Sequence, residues 1–107
     1  MTLNILFICE GNTEVFLLYK ILKEEFKLKI EGKILTNDGN LNMKEIKQFT
    51  FLGEVNNNNI YIGNIRGVSN LNSTYIIELI ENSQFYKLDK ILFIMDADYG
   101  DNNESGF

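Results

Sequence analysis

The chain has 107 residues, 45% hydrophobic and 23% charged, with 10 Lys plus Arg against 15 Asp plus Glu and a net charge of −5. That is the composition of one ordinary globular domain; its charge has the wrong sign for gripping nucleic acid through its own field, and no stretch approaches the roughly 20 apolar residues of a bilayer span. No histidine and a single cysteine exclude an imidazole base, a catalytic triad, a zinc set and an internal disulfide, so any chemistry must run on carboxylates, metal, Lys, Arg or Tyr.

The first element is the apolar run Leu3 to Cys9, rich in Ile, Leu and Phe, which reads as a strand buried on both faces. It is too short and lacks the basic leader of a signal peptide, so the chain reads as soluble and cytoplasmic. Val15, Leu18, Leu22 and Phe26 then recur at helical spacing and predict a helix over Thr13 to Lys27, capped by Asn12 or Thr13 and with Glu14 in its first turn. Leu28 to Thr36 reads as a strand or hairpin, and Asn37-Asp38-Gly39-Asn40 as a turn. Asn42-Met43-Lys44-Glu45 has the form of a capping box, predicting a short helix through Ile46 and Phe49 that Gly53 ends.

Asn56 to Asn59 reads as an exposed loop, and Ile60, Ile62 and Ile65 mark another strand, followed by Gly67. A further helix is expected over Thr74 to Gln84 with Ile76, Ile77 and Ile80 on its inner face, before the strand Ile91 to Met95. Strands alternating with helices predict a single α/β domain over residues 1–107, with a mainly parallel sheet flanked by helices. The polar stretch from Asp98 to Phe107 looks like a loop with nothing after it, and the expectation is an amino-terminal fragment of a longer domain.

Two acidic signatures follow apolar runs directly: Glu10-Gly11-Asn12-Thr13-Glu14 and Asp96-Ala97-Asp98. Ligands bind at the carboxyl ends of parallel strands. If the first and last strands are neighbours, Glu10, Asp96 and Asp98 converge on one crevice. Two carboxylates about 5 Å apart repel by roughly 3 kcal/mol at an effective dielectric near 20, so such a cluster protonates, spreads or holds a divalent ion. Gly11 suits close approach of backbone to an ion or phosphate, or a plain turn. Glu14 is a further acidic group near the metal, or simply stabilises its own helix.

In order, these motifs resemble the TOPRIM domain shared by topoisomerases, bacterial primases and nucleases of the overcoming-lysogenization-defect type, over Ile5 to Asp98. The likeness also takes in the glycine-bearing turn from Gly63 to Gly67. It implies a Rossmann-like fold and Mg²⁺- or Mn²⁺-dependent making or breaking of phosphodiester bonds in DNA or RNA. Carried over by position, Glu10, Asp96 and Asp98 become metal ligands and catalytic residues, with Glu10 as ligand or as general acid or base. Asp101 and Glu104 are available as extra carboxylates, and Arg66, the sole arginine, as a phosphate contact or a solvated loop residue. Two other readings stay open: a non-catalytic binding module of the same fold that serves assembly or regulation, and a phosphoacceptor receiver domain; beside DNA or RNA, the partners expected are a second copy or an additional domain.

Overall fold

The computed structural model describes residues 2–30 and 32–95. Its elements are β1 (Asn4–Cys9), α1 (Asn12–Glu25), β2 (Lys29–Ile30), β3 (Thr50–Val55), β4 (Asn58–Asn64), α2 (Ser73–Tyr86) and β5 (Lys90–Ile94), with short 3₁₀ turns at Gly32–Ile34, Met43–Glu45 and Val68–Asn70. The strands form one sheet in the order β2-β3-β4-β1-β5. β1 pairs in parallel with both β4 and β5, whereas β3 runs antiparallel to β4 and β2 antiparallel to β3. The sheet is therefore mixed, not mainly parallel. The cause is local: Asn56 and Asn57 have φ of 50° and 69°, the two left-handed residues of a type I′ turn, and a two-residue turn of that kind joins only antiparallel strands. Asn58 and Asn59 already belong to β4.

β1 divides the core by alternation. Leu6 and Ile8 face one apolar cluster with Ile65, Tyr75 and Leu79. Ile5, Phe7 and Cys9 face the other, with Val15, Leu18, Tyr19 and Leu22 of α1 and with Leu52, Ile60 and Ile62. The two helices thus cover opposite faces, and burial of a large aliphatic side chain on either face contributes about 1.5–3 kcal/mol. In α1 the buried positions are Val15, Leu18, Tyr19 and Leu22, the i, i+3, i+4, i+7 stripe. Phe26 is 51% exposed and serves as the carboxyl-terminal cap, since the helix stops at Glu25.

Two other expectations are corrected. The helix expected after Asn42 is a single 3₁₀ turn; Gly53 lies inside β3, beside the register shift between Phe51 and Gly53. A Cβ at Gly53, where φ is +154°, would run into the Lys29 carbonyl, so the glycine serves the bulge and the close approach of β2. In α2 the inner face is Tyr75 and Leu79, while Ile76, Ile77 and Ile80 are 37%, 56% and 54% exposed. Tyr75 and Leu79 are four apart and stack over the β1–β4 part of the sheet. The three isoleucines lie off that inner face, and in β5, the outermost strand, Leu92 and Phe93 are exposed as well. No helix among the described residues is long and apolar enough to cross a membrane.

Candidate functional site

The chain leaves β1 toward α1 on one face and leaves β4 toward α2 on the other, so a crevice opens between the carboxyl ends of these adjacent parallel strands. Backbone hydrogen bonds knit its walls. Ile65 N–H donates to the Cys9 carbonyl at 3.0 Å, and Gly67 N–H to the Glu10 carbonyl at 2.7 Å. On the other side of β1, Cys9 is in register with Ile94, and Glu10 N–H donates to the Ile94 carbonyl at 3.1 Å. Glu10 is therefore laddered on both sides, at the top of a three-strand parallel unit.

Asp96, Asp98, Asp101 and Glu104 lie outside the described residues. Asp96 follows two positions after Ile94 in the sequence. Among the described residues no three His, Cys, Asp or Glu side chains gather as a metal group. The donor chemistry nevertheless suits a hard cation. The three candidate ligands are all carboxylates, the type Mg²⁺ and Mn²⁺ take. Cys9 is no competing soft ligand: burial, and next the Glu14 carboxylate, push its thiol from 9.0 up to about 12.

Gly11 is the amino-terminal cap of α1, with φ −162° and ψ −170° and no side-chain cap bond. That extended conformation is open to any residue, and a Cβ there would meet the Glu14 Oε1 at an ordinary 3.5 Å. Neither backbone geometry nor packing among the described residues demands glycine at position 11. The same contact places a Glu14 carboxylate oxygen beside Gly11, in the first turn of its own helix.

Asn12 does not cap the helix. It is the first helical residue, and its Oδ1 accepts from Asn64 Nδ2 at 2.8 Å. Asn64, 1% exposed, is a fully buried polar side chain; its Oδ1 accepts the Arg66 backbone N–H at 3.2 Å. Arg66 has φ 55°, a left-handed conformation uncommon for such a residue. Its guanidinium Nη2 donates to the carbonyls of Met43 and Ile46 at 3.4 and 3.2 Å. Sequence reasoning did not single out Asn12 and Asn64 as partners; the available signal was an asparagine ending an otherwise apolar strand, where a buried amide needs a fixed partner.

Gly63 is required by packing. A Cβ there would collide with the Gln48 carbonyl and stand 3.2 Å from the Tyr75 hydroxyl. That hydroxyl is buried without a hydrogen-bond partner among the described residues, and burial, then Glu78 and Cys9, push its pKa from 10.0 up to about 12. An open cleft lined by Glu25, Phe26, Lys29 and Glu54 sits at the amino-terminal end of β4, away from this crevice. No protein-family model, curated protein or solved structure matches the chain.

Proposed function

We propose that the chain is a TOPRIM-type domain that binds Mg²⁺ or Mn²⁺ and acts on nucleic-acid phosphodiesters as a nuclease or related phosphoryl-transfer enzyme. What supports the reading is the register of β5 on β1: the ladder bond from Glu10 N–H to the Ile94 carbonyl joins the two strands from which Glu10 and the Asp96-Ala97-Asp98 motif follow. In this reading Glu10, Asp96 and Asp98 hold the ion, which when bound supplies charge neutralisation at the phosphoryl oxygens and leaving group. The chain's own residues do the rest. The backbone of Glu10 is fixed by main-chain bonds on both flanks, and its carboxylate serves proton transfer or ligation from that anchored position. The free amides of the first turn of α1 favour an anion beside it.

The test is thermal melting with Mg²⁺ or Mn²⁺, followed by incubation with single- and double-stranded DNA and RNA. Metal should raise Tm in the parent chain and not in Asp98→Ala. Glu10→Ala should abolish cleavage; equal turnover by that variant refutes the assignment, and a flat melting response favours the non-catalytic module.

A further inference from the structure

Beside the Glu10 crevice, on the β4 side, an open cleft of about 500 Å³ is lined by Lys47, Asn64, Arg66 and Asn70, with Gln48, Phe49 and Ile65 completing its wall. Among the described residues two cations and no carboxylate line it, in a chain whose net charge is −5. The guanidinium is held in place before any ligand arrives. Asn64 Oδ1 fixes the Arg66 backbone, the Met43 and Ile46 carbonyls fix Nη2, and the Asn64 N–H donates to the Lys47 carbonyl at 2.9 Å, tying both cation-bearing segments to the end of β4. Asn70 Nδ2 donates to the carbonyls of Ile65 and Arg66 at 2.7 and 3.1 Å and closes the loop around the arginine. Both acceptors of the guanidinium, the Met43 and Ile46 carbonyls, are neutral, so neither bond compensates its positive charge. A planar guanidinium with fixed orientation beside a flexible ammonium is a phosphate-binding combination.

We infer that Arg66 and Lys47 form a phosphate subsite for the backbone of a polynucleotide, one phosphate removed from the group that reacts at Glu10. The role as a flanking subsite rests on the function proposed above. β4 is the direct neighbour of β1, so the strand ends from which Arg66 and Glu10 follow are one strand spacing apart, about 4.8 Å. One strand of nucleic acid laid across these two ends presents one phosphate to Glu10 and the next to Arg66 and Lys47. An isolated phosphomonoester cannot engage both. The substrate class is therefore a chain with at least one phosphate beyond the scissile one.

The experiment is fluorescence anisotropy of a fluorescein-labelled single-stranded oligothymidylate, titrated with the whole chain in EDTA over a range of KCl concentrations. The parent chain should bind with a log–log salt slope that Lys47→Gln and Arg66→Gln each reduce by about 0.7, the value for one phosphate contact on a single strand. Each should weaken Kd about fivefold to tenfold, and Arg66→Lys should fall between parent and Arg66→Gln. Lys47 is exposed, so its variant reports on the subsite even if Arg66→Gln loosens the loop. Unchanged Kd and slope in both glutamine variants, or no salt-dependent binding by the parent, overturns the inference. Because EDTA removes divalent ions, the two proposals fail separately. Binding through Lys47 without metal stabilisation in the melting test keeps the subsite and sinks the chemistry; metal stabilisation with inert Lys47 and Arg66 does the reverse.

Discussion

The amide of buried Asn64 donates to Oδ1 of exposed Asn12 at 2.8 Å, linking the end of β4 to the first residue of α1, so the segments that follow β4 and β1 are held together by one side-chain pair. Truncation to Asn64→Ala leaves Asn12 Oδ1 and the Arg66 N–H without this partner. Unsatisfied polar groups of this kind cost about 1–3 kcal/mol, and urea unfolding should show a loss of that size. Asn64→Asp should be worse near neutral pH than at low pH, because a buried carboxylate would face the Asn12 oxygen.

Gly63→Ala should destabilise by about 1–3 kcal/mol, since the added methyl meets the Gln48 backbone carbonyl, not the end of a flexible side chain. Gly11→Ala, by contrast, should cost under about 1 kcal/mol, the difference between glycine and alanine at a cap. If a phosphate or ion approaches the turn closely, Gly11→Ala will still weaken metal or oligonucleotide binding. Parallel denaturation and binding measurements on the two variants separate fold from ligand approach.

Tyr75→Phe should be neutral or stabilising by up to about 1 kcal/mol. The hydroxyl lost has no hydrogen-bond partner among the described residues, so its removal ends a desolvation cost and forfeits no bond. A loss above that figure in chemical denaturation would show that the hydroxyl is satisfied in solution.

Alkaline pH should destabilise the chain. Cys9 and Tyr75 are both raised to about 12, from 9.0 and 10.0. Between the lower and the higher value the unfolded chain has lost a proton that the folded chain retains, so the stability these two groups contribute is full below pH 9, falls as pH rises, and is lost through about 12. The slope is at most about 1.4 kcal/mol per pH unit for each group. Cys9→Ala should make the decline begin one unit later, and the parent thiol should resist alkylation at neutral pH while folded.

Much of the parallel unit was legible because it is built from the patterns that physics makes loudest. Leu3 to Cys9 is apolar but for Asn4, Ile91 to Met95 is apolar throughout, and Val15, Leu18 and Leu22 mark a stripe, so β1, β5 and α1 follow from the pattern, although β5, expected to be buried on both faces, is an edge strand with Leu92 and Phe93 exposed. The antiparallel edge was not. Asn42 Oδ1 does accept from Lys44 N–H as a capping residue would, yet Lys47 N–H turns to Thr50 Oγ1 and the aromatic, β-branched run from Phe49 to Phe51 takes the chain into β3. A local cap signal was overridden by strand pairing, and a glycine that reads as a helix stop is a bulge. The inner face of α2 was misread because three isoleucines outweigh Tyr75 in hydrophobicity but not in fit to the sheet. Near the candidate site, the adjacency of β1 and β5 was expected from the two acidic motifs, whereas the Asn64–Asn12 pair and the anchoring of Arg66 depend on distant backbone that no spacing rule reveals.

The account turns on a divalent ion at the shared end of β1 and β5, and Mn²⁺ titration of the ¹⁵N-labelled chain tests it most directly. Paramagnetic broadening should begin at the amides of Glu10, Gly11 and Met95, leave Asn57 at the opposite end of the sheet sharp, and disappear in Asp98→Ala. Broadening that starts elsewhere, or that persists unchanged in that variant, contradicts it.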